Sequence, residues 1–263
     1  MRSGVRSGTR APAEPSAVAV VVPAHNEEHR VEACLRSLRA AAAHVAPLPV
    51  VIVVVADACT DATATLAARG GAHVVEVGSR NVGVARAAGV DRALELLAEA
   101  GPDAWLAMTD ADTTVPVAWL THQVARARQG HDAVLGTIRL APITANALVV
   151  ARHDADYFRT RRFRGTDGAW EHPHVHGANL GVSAAAYGRV GGFAPLPTGE
   201  DRDLAARLAA TGHRIARTDR NPVHTAARLH GRAPGGLADL LASLHPATGP
   251  PLTREPAGRR ILR

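Results

Sequence analysis

The chain of 263 residues contains no lysine, so all 30 of its basic residues are arginine. Phe, Tyr and Trp together make up 3%, and there are only two cysteines. No apolar run approaches the roughly eighteen residues that a membrane helix needs. The shortage of aromatics excludes an aromatic-rich carbohydrate-binding module and leaves Val, Leu, Ile and Ala to fill the interior. Cys34 and Cys59 make no disulfide framework in a chain of this length, and they fit a reducing compartment. Cys34 shares a helical stripe with Val31, Leu35 and Leu38, while Cys59 falls in a loop. The run Ala17–Val22 is too short for a signal peptide and is followed at once by Pro23-Ala24-His25-Asn26-Glu27-Glu28, so it reads as a strand. These absences predict a soluble, cytoplasmic protein with no integral membrane segment.

The net charge of +6 suggests an anionic partner until its position is traced. Residues 1–16 carry +2 and residues 246–263 carry +3, which leaves +1 for everything between. A near-neutral body has no basic stripe for a phosphate backbone, so no nucleic acid is expected as a partner. What remains is a globular composition, 46% hydrophobic and 21% charged. A chain of this mass can bury roughly 70–75% of its unfolded surface.

Both ends are rich in Arg, Ser, Gly and Pro without periodicity, which predicts disordered tails over 1–16 and 246–263. Between them, over 17–245, short apolar runs alternate with amphipathic stretches. Ala17–Val22, Pro49–Val55, Ala72–Val77, Ala104–Met108 and Asp132–Leu140 read as buried strands. Glu27–Ala43, Thr60–Arg69, Val82–Ala98, Pro116–Gln129, Glu200–Ala210 and Gly236–Leu244 read as helices. The pattern weakens after Leu140. The expected fold is a single α/β domain, a mostly parallel Rossmann-like sheet with helices on both faces, whose ligands bind beyond the carboxyl ends of the strands. The segments that leave those ends are acidic and polar: Pro23–Glu28, Ala56–Asp61, Gly78–Asn81 and Thr109–Asp112.

Asp110-Ala111-Asp112 follows an apolar strand, with two carboxylates spaced to reach one hard cation of the Mg²⁺ or Mn²⁺ kind. Three further motifs join it: Val22-Pro23-Ala24-His25-Asn26-Glu27-Glu28 earlier, Ala56-Asp57-Ala58-Cys59-Thr60-Asp61 next, and Gly199-Glu200-Asp201-Arg202-Asp203 later. In this order they resemble the family-2 glycosyltransferases of the GT-A fold, over roughly residues 17–230. The resemblance implies a metal-dependent glycosyltransferase that moves a sugar from a nucleoside-diphosphate donor, a UDP-sugar, to an acceptor hydroxyl with inversion. Residues 17–140 would form the nucleotide-sugar half and 141–245 the acceptor half.

By the same resemblance, Asp57 meets the base and Glu27 the ribose, with Pro23, Arg80, Arg86, Asp110 and Ala111 also on the donor. Asp112 holds Mg²⁺ or Mn²⁺, joined by His224. Asp201 is the general base and Glu200 orients it or holds the acceptor, while Gly177 and Asn179 line the acceptor floor. The motif departs from the common Asp-Asp-Gly-Ser form at Ala56, Ala58 and Cys59.

Each residue also has a plainer reading. Asp57 could cap the helix starting near Thr60, Glu27 and Glu200-Asp201 could be first-turn acids favoured by the helix dipole, and Arg86 could be a solvated helix residue. His172, His174 and His176 alternate, so on a strand they would share one face and make a transition-metal site conceivable. A retaining GT-A enzyme and a catalytically silent nucleotide-sugar binder or partner protein stay open. A nucleotidyltransferase and a dinucleotide-binding oxidoreductase are disfavoured, because no glycine-rich loop follows the first strand.

Overall fold

The computed structural model describes residues 14–101, 103–141, 147–163, 170–196 and 198–227. Nearly all of both expected tails, and the helix expected over 236–244, lie outside the described residues. Eight strands form one sheet: β1 (Ala17–Ala24), β2 (Val50–Asp57), β3 (His73–Val77), β4 (Ala104–Met108), β5 (Thr113–Thr114), β6 (Ala133–Leu140), β9 (Leu180–Ser183) and β10 (Ile215–Thr225), in the order β3-β2-β1-β4-β9-β6-β10-β5. A separate hairpin pairs β7 (Arg162–Phe163) with β8 (Trp170–Glu171). The helices are α1 (Val31–Ala43), α2 (Thr63–Arg69), α3 (Val82–Leu96), α4 (Trp119–Arg128), α5 (Ala147–Arg159), α6 (Ala184–Arg189) and α7 (Glu200–Ala210).

Alternation along β1 divides the core in two. Val18, Val20 and Val22 face a cluster with Leu35 and Leu38 of α1 and Leu120 of α4, whereas Ala17, Ala19 and Val21 face a cluster with Val90 of α3 and Leu204 and Leu208 of α7. Helices therefore cover both faces, and each fully buried Val or Leu side chain contributes about 1.5–3 kcal/mol. β1 pairs in parallel with β2 and β4, β2 with β3, and β6 with β10. The second half breaks the parallel pattern. β9 enters antiparallel between β4 and β6, and β5 closes the edge antiparallel to β10.

Helix starts differ from the periodicity reading by a few residues. α1 begins at Val31 instead of Glu27, because Asn26 takes a positive φ of 52° and the Glu27 N–H is held by Thr63 Oγ1 at 2.7 Å. α2 begins at Thr63, whose N–H is held by Asp61 Oδ1 at 3.0 Å.

The short turn 177–179 that leads into β9 is pinned by Asn179, only 3% exposed. Its Oδ1 accepts the Trp119 indole N–H at 2.9 Å, and its Nδ2 donates to the carbonyls of Thr137 at 2.9 Å and Asn221 at 3.0 Å. The amide is spent inside the protein, so Asn179 fastens α4, β6 and β10 together instead of lining an acceptor floor. Replacing Asn179 by Ala leaves those partners unsatisfied and is expected to lower stability by about 2–3 kcal/mol in urea unfolding. A loss below about 0.5 kcal/mol, the size of an ordinary surface change, would contradict this role.

Candidate active site

β1, β2 and β3 end side by side, and the loops leaving them are laced together. Glu28 N–H donates to Asp61 Oδ2 at 3.1 Å, Thr60 N–H to Asn26 Oδ1 at 2.8 Å, and Ala62 N–H to Glu28 Oε2 at 3.1 Å. Asp57, 5% exposed, ties in the third loop. Its Oδ1 accepts the Arg80 N–H and its Oδ2 the Asn81 N–H, each at 2.8 Å. Asp57 therefore does not cap α2. It fixes the entry to α3, and each carboxylate oxygen keeps a second lone pair for another donor. Among the described residues, the non-glycine residues with positive φ are Asn26 (52°), Ala58 (50°) and Arg80 (48°), one beyond each of these three strands. Such backbone costs about 1–2 kcal/mol per residue and collects where a site demands it.

Beside this corner lies a buried charge cluster. Arg86, on the second turn of α3, is 3% exposed. Its Nη2 donates to Asp110 Oδ1 at 2.6 Å, and its Nη1 pairs with Glu200 Oε1 at the start of α7. Asp201, next in the chain, accepts the Gly177 N–H on Oδ2 at 2.7 Å. Burial works against the Arg86 charge, but Asp110, Glu200 and Asp201 outweigh it and hold the guanidinium protonated. Burial also pushes Glu200 above the usual carboxylate range, helped by Asp201 and opposed by Arg86. Asp110 is raised by its enclosure and by Asp112 and Asp201, against the pull of Arg86. Burial first, then Asp110, Asp112 and Glu27, raise the Cys34 thiol and keep it a neutral packing group.

The four carboxylates of Asp110, Asp112, Glu200 and Asp201 thus crowd a region where Arg86 supplies the paired positive charge. Hard oxygen donors in negative excess fit a divalent cation. Among the described residues no three His, Cys, Asp or Glu side chains close around a common point.

The model of glycosyl transferase family 2 matches residues 19–190. The chain belongs to that family. Among solved structures, S. aureus TarS 1–349 in complex with UDP-GlcNAc is similar at a TM-score of 0.59 and 17% identity, over 87% of this chain and 66% of that one. The mannosyltransferase PcManGT from Pyrobaculum calidifontis, in complex with GDP-Man and Mn²⁺, is similar at 0.55 and 21%, over 84% and 61%. A mycobacterial protein is similar at 0.56 and 18%, over 87% and 73%. At such identities the likeness is one of fold, and this chain spans 60–66% of the TarS 1–349 structures. No curated protein matches it closely enough to count as a relative. The mixed sheet with helices on both faces is the GT-A fold.

In this family-2 chain the structure brings Glu27, Asp57, Arg86, Asp110, Asp112, Glu200, Asp201 and Gly177 to one end of the sheet. Pro23 is the penultimate residue of β1 there, in register with Val55. Ala111 turns its methyl into the core at 2% exposure and leaves its neighbours at the mouth, while the Arg80 side chain is exposed at the rim. Glu27, 6% exposed and outside α1, is no first-turn glutamate, and Arg86 is no solvated one.

His224 is exposed on β10, and successive strand residues face opposite ways. Its neighbour Thr225 is buried, and the Thr225 Oγ1 lies 3.4 Å from Asp112 Oδ1. Thr225 went unread because a hydroxyl stands out little in a sequence; the alternation from His224 was the available clue.

The three histidines stack, with ring centroids 5.8 and 6.1 Å apart, and among the described residues they form no metal-ligating group. His172 Nε2 donates to the carbonyls of Leu135 and Thr218, His174 Nε2 to that of Tyr157, and His176 Nε2 meets the Tyr157 hydroxyl. Their Nε2 atoms are committed to backbone and phenol, so they hold 172–176 against β6 and α5.

Two outcomes follow. Burial pushes His172 down to about 4 from an ordinary 6.5, so the unfolded chain takes up this proton first. The stability it contributes is present above pH 6.5 and is lost as the pH falls toward 4, and His172→Gln should flatten the urea midpoint across that window. Ala58→Gly removes a left-handed alanine and should stabilise the fold by about 0.5–1 kcal/mol, seen as a rise of roughly 1–4 °C in Tm.

Proposed function

We propose that this chain is a metal-dependent, inverting glycosyltransferase that moves a sugar from a UDP-sugar to an acceptor hydroxyl. The observation that carries the reading is the crowd of four carboxylates, Asp110, Asp112, Glu200 and Asp201, around buried Arg86 at the carboxyl ends of the strands. Asp57 offers only acceptors, which suits a base with a ring N–H such as uracil, and Glu27 lies in the adjoining loop toward the ribose. Asp112, with Asp110 beside it, would hold Mg²⁺ or Mn²⁺. Bound there together with the diphosphate, the cation offsets the negative charge that grows on the leaving group.

Asp201 supplies the base. The Gly177 N–H and the Arg202 N–H, at 2.7 Å each, orient its carboxylate at the head of α7. It takes the acceptor's hydroxyl proton as that oxygen bonds to the anomeric carbon, and the electron pair of the broken sugar–phosphate bond leaves with the nucleoside diphosphate. One displacement with one base inverts the anomeric centre. Such a base contributes about 10²–10⁴-fold in rate.

Calorimetric titration of UDP and of GDP, with and without Mn²⁺, tests the donor site without knowledge of sugar or acceptor. UDP binding that needs Mn²⁺ and is lost in Asp112→Ala is expected. Binding of neither nucleotide under any metal condition would overturn the reading. Asp201→Asn should lower turnover by at least 10²-fold while nucleotide binding persists, and NMR of the product should show the inverted anomer. Turnover within a few-fold of wild type would remove Asp201 as the base.

A further inference from the structure

Resting on the glycosyl-transfer reading above, we propose that Arg86 is a positioning residue instead of a donor ligand. It ties the Asp-x-Asp loop to the head of α7, so that the metal-side and acceptor-side carboxylates hold one geometry. Its partners come from two distant segments: Asp110 follows β4, and Glu200 opens α7. With one terminal nitrogen on each carboxylate and the side chain 4% exposed, the guanidinium presents no open face to a diphosphate. The Phe193 ring lies 5.9 Å from Cζ and walls off another side.

Two glycines make the seat. A Cβ on Gly177 would fall on the Arg86 guanidinium, and the same residue's N–H holds Asp201 Oδ2 at 2.7 Å. A Cβ on Gly83, one turn earlier on α3, would fall on the Ala194 carbonyl, and that space lets the chain before α7 close onto α3. Arg86, Gly177, Glu200 and Asp201 therefore move together. Displacing the guanidinium shifts Asp110 on the metal side and, through Glu200 and Gly177, the base on the other side. A fork with two parallel donor sets can bridge two carboxylates, whereas a lysine ammonium is a point charge.

The test compares Arg86→Lys, Gly177→Ala and the double variant. The readouts are Mn²⁺-dependent UDP affinity and the kcat and KM of donor hydrolysis, in which water stands in for the acceptor. Gly177→Ala touches the seat and not the donor, so it separates positioning from ligation. Each single variant is expected to lose about 10²-fold in kcat, the cost of a 1 Å misplacement, with UDP affinity and donor KM within about threefold of wild type. The double variant should lose no more than the worse single one, since both break one unit. A tenfold loss of UDP affinity in Arg86→Lys with Gly177→Ala unaffected would make Arg86 a donor ligand. Additive losses, or kcat unchanged in either single variant, would also overturn the proposal. Wild-type protein that binds no nucleotide at all would instead defeat the functional reading beneath it, so the two failures stay distinct. Circular dichroism of Gly177→Ala guards against misfolding, and if it fails to fold, Glu200→Gln, which weakens the other end of the bridge without added bulk, must show the same kcat loss with UDP affinity within about threefold; a tenfold loss of affinity or an unchanged kcat there would overturn the proposal.

Discussion

The geometry of the site depends on one buried cation. Taking a guanidinium and two carboxylates out of water costs several kcal/mol per ion, and their attraction repays this only when the geometry is good and the hydrogen bonds are made. Arg86 makes those bonds through its two terminal nitrogens, to Asp110 and Glu200, while its buried Nε has no partner among the described residues, at a point where α3, the loop after β4 and the head of α7 converge. The arrangement leaves a negative excess, with Asp112 and Asp201 close by. That excess, together with burial, raises Asp110 and Glu200 and is what the proposed divalent cation would offset.

Backbone does the rest of the positioning. Asp57 holds two amides of the β3–α3 loop, Gly177 holds Asp201, and the loops after β1 and β2 exchange side-chain-to-backbone bonds over a span of five residues each. The strain of three left-handed residues sits at the same three strand ends. Rigid elements carry the acids and short, over-determined loops aim them, which is the preorganisation that charge stabilisation in a transition state requires. The three histidines belong to this scaffolding, since their ring nitrogens spread over β6, β10 and α5.

The first half of the fold was legible because each strand is a short apolar run and each helix carries its stripe; α7 was bounded to the residue by Gly199 before it and its acidic first turn. β9 escaped notice because Leu180–Ser183 is four residues with a glycine among them, too short for a period to show. β10 escaped because Arg217, Asp219, Arg220, Asn221 and Pro222 interrupt it, around a register shift between Thr218 and Val223. Among site residues, the acids of the four motifs were placed by their order along the chain. The burial of Arg86 is a tertiary fact, although its spacing with Gly83, Val90 and Ala93 on the inner stripe of α3 was a signal that a charge lay where a core residue should. Asn179 was placed on the acceptor floor by the resemblance alone, because the order of motifs along the chain does not show which partners a buried amide takes.

A divalent cation held by Asp112 within the carboxylate cluster is the central claim, and anomalous diffraction from a crystal grown with UDP and Mn²⁺ tests it most directly. The account predicts one manganese peak about 2 Å from an Asp112 carboxylate oxygen, bridging to the diphosphate, with Arg86 still on Asp110 and Glu200. A bound nucleotide whose diphosphate rests on the Arg86 guanidinium, with no manganese at Asp112, would contradict it.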